Sequence, residues 1–208
     1  MQFIHASNLS MVAFVAILCA VVGMFLLGIH FAHKDKPGIL KKTIWALLLF
    51  LTLFSGFVLS GLPEDSPLPF VPLGLGITFA LVLWFGLSSV AKKMSRTIPL
   101  FVLVLFQAFR LPLELILHAW VESQTIPETM TWSGQNWDIA SGILALVFSP
   151  VIKKWPKAGW IFNIIGLLLL VNVMRVAILS SPFPFAWSVD PPLQLLFHLP
   201  YAFIVPIC

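Results

Sequence analysis

The chain has 208 residues, 60% of them hydrophobic and 10% charged. Soluble domains carry about 45–50% apolar and about 25% charged residues. The charge deficit excludes an ordinary soluble domain, a disordered chain and a nucleic-acid partner bound by charge density, and leaves a polytopic membrane protein.

A bilayer-spanning helix needs about 17–25 mostly apolar residues. In chain order the runs that meet or approach this are Met11–Phe31, Thr43–Gly61, Phe70–Val90, Thr97–Trp120, Ile139–Ile152, Gly159–Ser180 and Leu193–Cys208. The first is too long for a signal-peptide core and reads as an uncleaved span. The fifth is short, and Pro200 and Pro206 interrupt the seventh. Between the second and third, Gly61 to Pro69 is too rich in turn formers to continue a helix. The expected fold is all-α: a single transmembrane helix bundle over residues 1–208, with six to seven spans and the N-terminus outside. Cys19 and Cys208 make no metal-ligand or disulfide spacing, so no metal site is expected.

Charge sidedness sets the orientation. Ten of the twelve basic residues fall in three loops: Lys34, Lys36, Lys41 and Lys42; Lys92, Lys93 and Arg96; Lys153, Lys154 and Lys157. The alternate loops hold no Lys or Arg and carry Glu64, Asp65, Glu122, Glu128, Asp138 and Asp190. Cytoplasmic loops carry the Lys/Arg excess, so the basic loops are expected inside.

Two basic residues remain, Arg110 and Arg175, and one acid, Glu114, lies within a span. Intramembrane charges cost at least about 2.5–3.5 kcal/mol and face partners or a wet cavity. Gln107, Arg110, Glu114 and His118 fall within an arc of roughly 80° on the fourth span. Pro112 interrupts the backbone bonding beside them. Asn172 and Arg175 share a face of the sixth span. At about 1.5 Å per residue, Glu114 and Arg175 both lie about 9 Å outward of the membrane centre, which predicts a Glu114–Arg175 pair. Asn136 or Asp138 is placed to cap the fifth span. Trp120, Trp132 and Trp137 read as interfacial anchors. His198 is expected near the same outer level.

The candidate ligand-binding set is therefore Arg110, Glu114, His118, Asn136, Asp138, Asn172, Arg175 and His198, around a polar cavity in the outer half. Two guanidiniums against one intramembrane carboxylate suit an anionic group, and the expected function is recognition or transport of a small polar or anionic molecule or a lipid head group. One alternative is an intramembrane enzyme on a lipid-linked or periplasmic substrate, with a histidine as base. Another is a structural polar network without a ligand. No cofactor is expected; a haem would rest on two histidines without a binding motif.

Two segments, Phe109-Arg110-Leu111-Pro112-Leu113-Glu114 and Pro127 through Ile139, resemble a family of uncharacterised multi-spanning bacterial membrane proteins. The resemblance implies a bacterial inner-membrane location, with the basic loops cytoplasmic and the polar cluster periplasmic. It implies no particular activity.

Overall fold

Each helix begins and ends where the local chemistry requires. A computed structural model describes residues 3–65 and 67–207, and all the regular structure among them is helical. Helix α1 (Asn8–Ala32) is capped by Ser7, whose hydroxyl accepts from Ser10 N–H at 3.3 Å. Helix α2 (Pro37–Leu59) has proline at its first position, where no donor is needed. It stops beside Gly61, whose φ of 75° turns the chain. The short α3 (Leu62–Asp65) and the apolar α4 (Pro67–Leu87) follow. Helix α5 (Ser89–Thr97) starts at Ser88, whose side chain accepts from Ala91 N–H at 3.2 Å.

Helix α6 (Leu100–Phe106) runs through a 3-10 turn (Gln107–Phe109) into α7 (Arg110–Glu122). The tightening sits where Pro112 deprives the Ala108 carbonyl of its usual donor. Helices α8 (Ile139–Lys154) and α9 (Ala158–Ser180) come next. Two 3-10 turns (Leu195–Phe197 and Tyr201–Phe203) precede α10 (Ile204–Ile207).

Four helices are long and apolar enough to cross a membrane: Asn8–Ala32, Pro37–Leu59, Leu100–Glu122 and Ala158–Ser180. A fifth results if Pro72–Leu87 and Ser89–Thr97, bent by 61°, count as one. The expected fifth span forms as α8, but its 16 residues reach only about 24 Å against a hydrocarbon core of about 30 Å. The expected seventh span forms no continuous helix among the described residues, because prolines break it into turns.

The chain divides into two compact units. The first contains Met1–Ile17 and Leu100–Gln194. Helix α8 is its hub and packs against α6, the 3-10 turn, α7 and α9. Val104, Ala145, Ile152, Ala158 and Phe162 form a buried apolar cluster there. Gly142 allows the close α7–α8 approach: a Cβ would stand 2.6 Å from the Leu111 backbone nitrogen. Trp160, Ile164, Leu167, Leu168 and Val171 form an exposed apolar stripe along α9 at helical spacing.

The second unit contains Leu18–Pro99 and Leu195–Cys208. Phe25 meets Phe85 and Phe54 meets Phe203, with ring centroids 5.4 and 5.9 Å apart. Lys93 Nζ lies 2.6 Å from Asp35 Oδ1, joining the α1–α2 turn to α5.

Candidate functional site

The polar residues of the first unit converge on the segment between α7 and α8. A 3-10 turn (Glu128–Met130) starts it, and the chain then folds back on itself. Gly134 N–H donates to Thr131 and Gln135 N–H to Thr129. The crossing needs glycine, since a Cβ on Gly134 would stand 2.3 Å from the Glu128 carbonyl oxygen. The loop is tied to α9 by the Thr129 and Ser180 hydroxyls, 2.6 Å apart.

Asp138 occupies the N-cap position of α8, but its carboxylate makes no backbone capping bond. Arg110 Nη1 donates to Asp138 Oδ2, and Ser141 Oγ donates to Oδ1 at 2.7 Å. The expected capping role is thus replaced by an ion pair that links α7 to α8. The positive end of the α8 dipole favours the same carboxylate. Arg110 Nε also donates to Gln107 Oε1 at 3.2 Å.

Glu114 is buried, with 2% of its surface exposed. Asn136 Nδ2 donates to its Oε1 at 3.1 Å and to the Met130 carbonyl at 3.0 Å. Asn136 Oδ1 accepts from Asp138 N–H at 3.1 Å. Asn136 therefore bridges the acid on α7, the loop and the start of α8. Glu114 Oε2 is buried and has no hydrogen-bond partner among the described residues, and neither does His118 Nδ1 one turn further on. The His118 ring stacks on Trp132 at 4.3 Å.

Arg175 lies elsewhere. It is exposed on α9, four residues beyond Val171 and so at the C-terminal end of the apolar stripe. Its Nη2 donates to Asn172 Oδ1 at 3.1 Å and to Gln135 Oε1 at 3.3 Å. Asn172 Nδ2 donates to the Gln135 carbonyl at 2.7 Å. The guanidinium carbon is 5.8 Å from the centre of the Trp187 ring.

The expected Glu114–Arg175 pair does not form. Counting residues along two helices does not fix the face each side chain takes: Arg175 is exposed and Glu114 is buried. Asp138, read as a cap, is the acid that neutralises Arg110. Two polar sets result: Arg110, Glu114, Asn136 and Asp138 inside, and Asn172 and Arg175 with Gln135 at the surface. His198 belongs to the second unit. Trp120 is fully buried rather than interfacial, donating to Ser10 Oγ at 3.1 Å and packing on Phe14. Trp137 is exposed. Gln135, Ser141 and Trp187 were missed by sequence reasoning. Only Ser141 had a signal, its spacing of three from Asp138. Among the described residues, no three His, Cys, Asp or Glu side chains group to hold a metal.

A family model described as Domain of unknown function (DUF8737) matches residues 68–208. The chain belongs to this family. The matched span contains both polar sets, whereas α1 and α2 precede it. No curated protein and no solved structure matches the chain.

Proposed function

We propose that the chain is an integral protein of the bacterial inner membrane that recognises an anionic lipid head group at Arg175. α8 would supply a sixth crossing, with the basic loops cytoplasmic and the N-terminus outside. The Lys93–Asp35 contact, which ties two basic loops to one side, supports that orientation.

The observation that carries the reading is the setting of Arg175. Its stripe is apolar and exposed, as a lipid-facing surface is, and it ends in a guanidinium that, among the described residues, hydrogen-bonds to neutral amide oxygens. A cation at that level draws a counter-charge, and the phosphate of a lipid is the anion a bilayer supplies there. Arginine presents two parallel donors to phosphate oxygens. Gln135 and Asn172 hold the fork, and Trp187 covers one face. Arg110 is unsuited to this role, because Asp138 already neutralises it.

The test uses the full chain in nanodiscs and counts retained lipids by native mass spectrometry. Arg175→Gln is expected to lower phosphatidylglycerol retention about tenfold, the loss of one charge-assisted contact, with Arg175→Lys in between. Glycerol 3-phosphate as competitor separates a free anion from a lipid-borne one. Unchanged retention in Arg175→Gln overturns the proposal. Conversion of the lipid during incubation would instead favour the intramembrane enzyme, for which the unpartnered Glu114 Oε2 and His118 Nδ1 are the available acid–base groups.

A further inference from the structure

A second feature of the first unit shares no residue with that site. A cavity of about 250 Å³ opens at the end where α1 begins and where α7 and α9 finish. Its walls include Phe3 before α1, Gln124 and Thr125 after α7, and Asp190, Pro192 and Gln194 after α9. We infer that this cavity is a binding site for a single sugar ring, either free or carried on a lipid.

The chemistry of the wall selects the ligand class. Among the described residues it contains a carboxylate and two primary amides but no Lys or Arg. A phosphate or carboxylate ligand would meet Asp190 with no Lys or Arg of the described wall to offset the repulsion. A simple amine would satisfy Asp190 but leave the amide N–H groups without acceptors. A sugar hydroxyl both donates and accepts, so it matches amide and carboxylate together. The flat apolar surfaces of Pro192 and Phe3 suit the C–H face of a pyranose. The volume is below the usual drug-sized range of about 300–1,000 Å³, which fits one ring rather than a long glycan.

The backbone at Gln124 is an independent observation. Helix α7 ends with Gln124 N–H bonded to the Val121 carbonyl and Thr125 N–H to that of Trp120. This is the Schellman ending, whose left-handed position is normally glycine. Here Gln124 occupies it with φ of 56°. A side chain held at a left-handed position costs stability, and such strain concentrates at functional sites. The cavity gives the glutamine a reason to be there.

The experiment is saturation-transfer NMR on the full chain in nanodiscs, free of glycosidic detergent. The probes are methyl glycosides of glucose, galactose, mannose and N-acetylglucosamine, then glucosyl-diacylglycerol within the disc. The expected result is transfer to the ring protons of at least one probe, weakened about fivefold or more by Asp190→Asn and by Gln194→Ala. Signals from methyl glycosides identify a free sugar; signals from the glycolipid alone identify a lipid-borne one. Gln124→Gly is expected to raise the melting temperature while weakening transfer, which a purely structural residue would not do. Absence of transfer from every probe, transfer unchanged in Asp190→Asn and Gln194→Ala, or displacement of the glycoside by ethanolamine would overturn the inference.

Discussion

The two units use their polar side chains differently. In the unit of residues 18–99 and 195–207, hydroxyls bond back to their own helices. Thr43, Ser55, Thr78 and Thr97 each donate to a carbonyl four residues earlier. The other unit has such back-bonds too, at Ser123 and Ser181, but adds side-chain bonds that cross between elements: Arg110 to Asp138, Asn136 to Glu114, Thr129 to Ser180, and Trp120 to Ser10. The first arrangement hides polar groups in an apolar setting and leaves partner choice to packing. The second fixes which elements meet, since each bond fails unless both are in place. A polar group bonded within its own helix is cheap to lose, whereas one bonded across helices leaves an unsatisfied partner behind.

The largest break in this contrast is expected at Asp138. Asp138→Ala leaves a half-buried Arg110 without its carboxylate; breaking a fully buried pair costs about 3–5 kcal/mol, which sets the upper bound here. Thermal unfolding in detergent micelles should show it as the steepest loss among single variants. The double variant Arg110→Met with Asp138→Leu should recover most of that loss, because removing both partners leaves no uncompensated charge. If the double variant is as unstable as Asp138→Ala, the ion pair is not what joins α7 to α8. Asn136→Ala comes next, at about 1–3 kcal/mol, since it strips donors from Glu114 and the Met130 carbonyl at once. Gly142→Ala should cost about 1–3 kcal/mol by forcing α8 off the Leu111 backbone. In the other unit, Ser55→Ala should change stability by no more than about 0.5 kcal/mol, since its hydroxyl serves only its own helix. A loss at Ser55 equal to that at Asn136 would erase the contrast.

The same division explains what could be read from the residues. Apolar runs and basic loops gave helices α1, α2, α4, α6–α7, α8 and α9, because span length and loop charge are local properties. Helical spacing correctly put Arg110 and Glu114 on one inward stripe. The pairing was misjudged because it depends on the path of residues 123–138. That path is fixed by Gly134 at a backbone crossing and by the Thr129–Ser180 contact, and neither has a spacing signature. Arg175 illustrates the limit most clearly. Its position along α9 follows from counting residues, but its face follows from which side of α9 packs on α8. The stripe from Trp160 to Val171 marks that side as outward, yet an apolar stripe in an apolar helix stands out only once the inner face is known.

The smallest expected effect lies outside the spans, at the one described ion pair of the second unit. Asp35 sits in the α1–α2 turn, and the hydrogen bond from Lys93 holds its carboxyl below the ordinary carboxylate range. A depressed folded value means that the carboxylate form is favoured by folding. The contribution is present above the ordinary carboxylate pKa and is lost as the pH falls through the lowered one. Both side chains are solvent-exposed, so water and salt weaken the pair. Titration of the Asp35 side-chain carbon by NMR should therefore show a midpoint that rises toward the ordinary value in Lys93→Gln, and also in wild type at high salt. Unfolding midpoints at neutral pH should barely move in the same variant. An unmoved Asp35 titration would mean that the α5 bend does not bring Lys93 to the α1–α2 turn. One support for placing the two basic loops on one side would then be gone, while the Arg110–Asp138 wiring of the other unit would stand untouched.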